Sequence, residues 1–162
     1  FYMIDAYSVQ PYKENTEMSY QEYLAKYQPI TGEIAETGFQ KFYDRVYNEV
    51  KTRFSTVEEA EICRMTSNEW FESMMAAKGH GHFEMLDWIY VDGDHSYEGC
   101  LSDLENSLEV VRPGGVILGD DYGWPNAKWS KVGVTKAVNE FINKHNLTKM
   151  LRHGETQYEI RI

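Results

Sequence analysis

No stretch of the 162 residues approaches the roughly 18 consecutive apolar positions of a membrane span, so no membrane partner is expected. Cysteine is nearly missing. Cys63 and Cys100 fall in a predicted strand and a predicted helix, lack any metal-ligand spacing, and read as small buried hydrophobes in a reducing cytoplasm. Positive charge is short, with 16 Lys plus Arg against 26 Asp plus Glu, and the formal net charge of −10 argues against a nucleic-acid partner. A neutral or cationic small-molecule substrate is easier to accept, and a homo-oligomer is neither required nor forbidden. A glycine-rich Gly-x-Gly-x-x-Gly phosphate loop is absent as well; Gly114-Gly115 precedes a predicted strand and cannot stand in for it. The first residue is Phe1 rather than an initiating Met, so the lack of a signal peptide says little about targeting.

What the chain does have is apolar material for one core, 42% of its residues, and that predicts a single domain over residues 1–162. Its organising stretch is 86–122. Leu86 to Val91 and Val116 to Leu118 are short apolar runs, each followed by aspartates, and between them Tyr97, Leu101, Leu104, Leu108 and Val111 recur at helical spacing. Ser96 is a candidate cap for that helix, and Arg112-Pro113-Gly114-Gly115 is expected to stop it. A strand, helix, strand unit makes the strands parallel neighbours, which brings Asp92, Asp94, Asp120 and Asp121 to one sheet edge. Ligands bind at that carboxyl edge in open α/β sheets. Four carboxylates there repel one another unless a metal ion or a cationic ligand sits among them.

The other segments supply the rest of an α/β fold. Phe1 to Ile4 is an apolar run that delivers Asp5 to the sheet edge. Residues 8–37 form a long Tyr-rich connection, with a short helix around Tyr20 to Tyr27, that reads as a lid or as a plain surface excursion. Phe39, Phe42, Tyr43, Val46, Val50 and Phe54 trace an amphipathic helix. A strand over 60–65 leads into Thr66-Ser67-Asn68-Glu69, a capping box that opens another helix and offers polar groups to a ligand. His80 and His82 lack a nearby third ligand and read as a polar turn. Trp124 and Trp129 follow the aspartate pair as candidate walls of a flat pocket. A helix from Val134 to Ile142 and a terminal hairpin, with its turn at His153 to Thr156, close the chain.

Hard carboxylate oxygens from Asp92, Asp120 and Asp121 suit Mg²⁺ or Ca²⁺ better than zinc, and an open position on such an ion makes a hydroxyl easier to deprotonate. His95, three residues after Asp92, is a candidate base, with a plain helix-terminal role as the alternative. Asp94 is a metal neighbour, a substrate contact or a helix cap. Asp5 could accept hydrogen bonds from a vicinal diol.

Val91-Asp92-Gly93-Asp94-His95-Ser96-Tyr97-Glu98-Gly99, Arg112-Pro113-Gly114-Gly115-Val116, Asp120-Asp121-Tyr122 and Gly133-Val134, leading into Ala137 to Phe141, together resemble class I S-adenosylmethionine-dependent methyltransferases. The likeness is to the methyltransferase family 24 and macrocin-type O-methyltransferase group. It implies a Rossmann-like three-layer sandwich, a mostly parallel sheet with a C-terminal antiparallel hairpin, and S-adenosylmethionine as cofactor. By resemblance, Asp5 takes the ribose-binding position, Thr66, Ser67 and Asn68 lie where the adenine is contacted, and Asp92, Asp120 and Asp121 match the metal ligands, with Mg²⁺ the expected ion. His95 stands where metal-dependent relatives carry a catalytic lysine; His95 or Asp94 is expected to assist proton removal, and Asp92 joins them as a catalytic residue that holds the ion. The family's first strand and glycine loop would lie before Phe1, so the resemblance implies an N-terminally shortened domain. The function expected is O-methylation of a small-molecule hydroxyl of sugar, polyketide or phenolic type, assisted by a divalent metal. A metal-independent methyltransferase, a metal-dependent glycosyltransferase using Asp92-Gly93-Asp94, and a non-catalytic binding relic are the alternatives.

Overall fold

A computed structural model describes residues 1–8, 19–32, 36–81, 83–123, 133–147, 150–154 and 156–162. Trp124, Trp129 and His82 lie outside the described residues, as does Pro11 in the long connection. Contacts divide the chain into two compact units, Phe1–Trp70 and Phe71–Ile162.

In the first unit, β1 (Tyr2–Asp5) pairs in parallel with β2 (Glu61–Arg64), Asp5 opposite Arg64. Between them come α1 (Tyr20–Thr31) and α2 (Glu36–Arg53), the latter matching the amphipathic run expected there. Ser19 caps α1 in a reciprocal box with Glu22, so two otherwise orphaned amides are satisfied at its start. Its end is set by Gly32 in a left-handed conformation. Tyr23 and Phe39 are buried against Tyr20, Leu24, Tyr27 and Tyr43, a largely aromatic core that explains the Tyr-rich composition of this segment.

The helix α3 (Ser67–Gly79) begins in the first unit and continues into the second. The second unit then holds β3 (Leu86–Val91), α4 (Tyr97–Val110), β4 (Val111–Gly119), α5 (Gly133–Lys144), β5 (Met150–His153) and β6 (Gln157–Arg161). Its sheet has the order β3-β4-β6-β5, with β3 parallel to β4 and the remaining pairs antiparallel. The C-terminal hairpin is therefore present, and its second strand inserts between β4 and β5. α4 packs on β3, β4 and α5. Leu104, Val110, Ile117, Ala137, Val138, Phe141, Tyr158 and Ile160 form the fully or nearly fully buried core of this unit. Each buried aliphatic or aromatic side chain contributes about 1.5–3 kcal/mol by leaving water. In β3, Val91 is buried while Trp88 and Tyr90 are exposed, the period-two signature of a strand covered on one face among the described residues.

One expectation is corrected. Arg112 to Gly115 does not form a turn before the strand: β4 starts at Val111, directly after α4. The pairing jumps from Leu86–Val111 to Trp88–Val116, so the extra residues bulge out of the ladder. Gly115 permits this, since a Cβ there would lie 2.8 Å from the Asp87 carbonyl oxygen. Gly114, at φ +81°, takes the left-handed conformation that the bulge demands.

Candidate functional site

Helix α4 and its entry position the second unit's acidic residues. β3 ends at Val91, which pairs with Gly119 at the end of β4, so Asp92 and the Asp120-Asp121 pair emerge side by side at the carboxyl edge. Ser96 caps α4 by accepting from the Gly99 amide. Asp94 in turn accepts from the Ser96 amide and hydroxyl, both at 2.9 Å, so its two carboxylate oxygens brace the start of the helix. That geometry accounts for Asp94 as part of the helix entry.

His95 sits between two carboxylates. Its Nε2 lies 3.4 Å from Asp92 Oδ1 and its Nδ1 3.2 Å from Asp121 Oδ2. Ligand atoms of Asp92, His95 and Asp121 fall within 4.8 Å of one another, the metal-competent group among the described residues. The bond to Asp92, followed by the charges of Asp121, Asp92 and Asp94, raises the His95 pKa against the opposing effect of burial. The same bond holds the Asp92 carboxyl below its ordinary range. Asp121 is pushed up, first by burial and then by the neighbouring charges of Asp120 and Asp92, with His95 opposing. Two carboxylates and an imidazole thus meet at this edge, a donor set that could hold a divalent ion such as Mn²⁺ or Mg²⁺.

Asp120 lies outside this group. Its Oδ1 accepts from the Asp121 amide at 2.8 Å and from the Thr156 hydroxyl at 2.5 Å. Of the ligand set expected from resemblance, Asp92 and Asp121 lie together with His95, while Asp120 Oδ1 is engaged with the Asp121 amide and Thr156. Sequence spacing does place His95 three residues from Asp92, but nothing in it reveals that the histidine would bridge to Asp121. No local sequence pattern marks Thr156 or Tyr90 for the contacts they make. The Tyr90 phenol, raised by burial and by the charge of Asp120, accepts from Gln157 Nε2 at 3.3 Å.

The first unit holds the remaining predicted residues. Asp5, at the end of β1, accepts the Tyr7 amide at 2.6 Å. Tyr7 is buried with φ +45°, and its carbonyl accepts from Arg64 at 2.9 Å and from Gln40 at 3.2 Å. Arg64 also pairs with Asp44. Asp5 thus stands on a turn fixed from α2 and β2. Thr66 and Glu69 form the reciprocal capping box, with the Glu69 carboxylate accepting from the Thr66 amide at 2.7 Å and hydroxyl at 2.9 Å. The Met65 amide donates to the Asp5 carbonyl, so Asp5 and the Thr66-Ser67-Asn68 segment share the carboxyl edge of the β1–β2 pair. Among the described residues no helix is long and apolar enough to cross a membrane.

The methyltransferase family 24 model, described as a methyltransferase domain, matches residues 5–122, well over half the chain. The chain belongs to this family. Its fold is that of the class I S-adenosylmethionine-dependent methyltransferases. The O-methyltransferase NovP is similar in structure at 16% identity and TM-score 0.60, over 99% of this chain and 58% of NovP. An O-methyltransferase from Bacillus cereus, solved in complex with SAH, is similar at 12% identity and TM-score 0.53, over 99% of this chain and 100% of its own. A curated protein of Acanthamoeba polyphaga mimivirus, itself uncharacterised, is 35% identical over 57 residues, covering 35% of this chain and 24% of its own length. The family 24 chain thus spans about a quarter of that curated relative and somewhat over half of NovP.

Proposed function

We propose that this family 24 methyltransferase transfers a methyl group from S-adenosylmethionine to a hydroxyl of a small molecule of sugar, polyketide or phenolic type, with a divalent cation held by Asp92, His95 and Asp121. The observation that carries the reading is that these three ligating groups converge at the carboxyl edge of β3 and β4, in a chain of a methyltransferase family. S-adenosylmethionine would supply an electrophilic methyl on a sulfonium, and the cation would supply Lewis acidity beside the acceptor hydroxyl. Asp5, Thr66, Ser67 and Asn68, which share the carboxyl edge of the β1–β2 pair, remain the residues assigned to the cofactor. Of these, Thr66 has both its amide and its hydroxyl engaged with Glu69, so its part is to shape the start of α3 from which Ser67 and Asn68 project. Asp121, whose side chain is largely buried, fixes His95 Nδ1, while Nε2 faces Asp92 on the more exposed side. With His95 Nε2 and Asp92 occupied as ligands, the acceptor hydroxyl, its pKa lowered by the cation, can lose its proton to water.

A metal-independent methyltransferase is the second reading, and one observation favours it: His95 already meets both carboxylates through its two ring nitrogens, with no ion needed between them. Asp121 would then orient the imidazole and Nε2 alone would act as the base. Asp94, bonded through both oxygens to Ser96, weighs against the Asp-x-Asp glycosyltransferase alternative. The readings separate in a methyl-transfer assay with a panel of hydroxylated acceptors. EDTA is expected to reduce turnover at least about tenfold, with Mn²⁺ or Mg²⁺ restoring it. Turnover unchanged by EDTA favours the His95 base.

A further inference from the structure

The acidic group depends on a backbone conformation that a non-glycine residue rarely takes. Asp121 has φ +63°, in the left-handed region that is unfavourable for a side chain bearing a Cβ. Such a conformation persists where the surroundings hold it. Here the restraints come from the turn between β5 and β6. The Thr156 hydroxyl donates to Asp120 Oδ1 at 2.5 Å, and that same oxygen accepts the Asp121 amide at 2.8 Å. The Thr156 carbonyl accepts the Tyr122 amide at 2.9 Å. One threonine, 36 residues from Asp120 along the chain, thus brackets Asp121 on both sides. Asp121 is the residue whose Oδ2 meets His95 Nδ1.

We infer that Thr156 is a positioning residue: through Asp120 it holds Asp121 in the left-handed conformation that presents its carboxylate to His95. Asp120 is the strut in this arrangement and Asp121 the working carboxylate, so the two adjacent aspartates have different tasks. The consequence for ligand binding rests on the cation reading above, whereas the effect on the backbone does not. Replacement by valine keeps the shape and the backbone bond to Tyr122, removing only the hydroxyl.

The test compares Thr156→Val and Thr156→Ser with the wild-type protein. Amide hydrogen exchange, followed by NMR without metal or cofactor, is expected to quicken about tenfold at Asp121 in Thr156→Val, the loss of roughly one hydrogen bond. The amides of Ile117 and Ile160 in the β4–β6 ladder should keep their protection, and Thr156→Ser should exchange as wild type. Calorimetry with Mn²⁺ is expected to read about tenfold weaker binding for valine and wild-type affinity for serine. Unchanged exchange at Asp121 in Thr156→Val, or equal damage from valine and serine, overturns the role of Thr156. A wild-type protein that binds no Mn²⁺, yet shows the exchange pattern described, overturns the cation reading and leaves the positioning role supported.

Discussion

His95 carries the most consequential electrostatics of any single residue. Its folded-state pKa lies above the ordinary imidazole value of about 6.5, so the fold binds its proton more tightly than the unfolded chain does. That stabilisation is complete below pH about 6.5 and is lost as pH rises through the raised value. Asp92 has the opposite sense: its lowered pKa gives stability above the ordinary carboxylate value of about 4, which is lost as pH falls through the folded value. Asp121, raised by burial, has the opposite sign to Asp92 and works against the fold when ionised. The couple therefore contributes between pH about 4 and about 6.5. His95→Gln is expected to lower the melting temperature most in that window and progressively less above it. Because the His95 and Asp92 side chains are 40% and 53% exposed, solvent screening keeps the effect below about 1 kcal/mol. Differential scanning fluorimetry from pH 4.5 to 9 checks this, and a deficit independent of pH would sink the linkage.

At the scale of elements, the start of α4 is locked by the start of α5. A Cβ on Gly133 would collide with the His95 carbonyl oxygen and lie 3.0 Å from the Tyr97 amide nitrogen. Both obstacles are backbone, so no side-chain rotation relieves them. Alanine gains up to about 1 kcal/mol over glycine in a helix interior, and less in the first turn. Overpacking against fixed atoms costs about 1–3 kcal/mol, which wins. Gly133→Ala is expected to lower the urea midpoint and to weaken Mn²⁺ binding several-fold by displacing His95; wild-type values for both would show that the two helices can slide apart freely. The bulge in β4 belongs to the same scale. Its Pro-Gly-Gly sequence signals a break in regular structure, but the sequence does not say that the break is absorbed inside a strand.

For the molecule as a whole, the second unit's stability rests on α4, which packs on β3 and β4 and against α5. Leu104 is wholly buried there. Leu104→Ala should cost about 2–5 kcal/mol through lost burial and a residual cavity. That is a large share of the roughly 5–15 kcal/mol typical of folded proteins. Urea unfolding with an unchanged slope and a lower midpoint is the expected result; a midpoint within error of wild type would mean that the core closes around the gap. Cys100, beside this core, has its thiol pushed up to about 12 by burial, so it is a packing residue and not a nucleophile.

The sequence by itself determined what depends on local chemistry and periodicity. Strand, helix and cap signals fixed β3, Ser96 with α4, the Thr66–Glu69 box and the terminal hairpin, because hydrophobic spacing and capping act over a few residues. The motifs from Asp92 to Phe141 carried the family. The tertiary structure decided which groups meet. Asp120 and Asp121 are equivalent in sequence, and their roles diverge only because Thr156, brought in by the β4–β6 pairing, engages Asp120 and leaves Asp121 to face His95. Left-handed backbone at Asp121 and the bridging of His95 between two carboxylates are products of packing between distant segments, and no local pattern encodes such contacts.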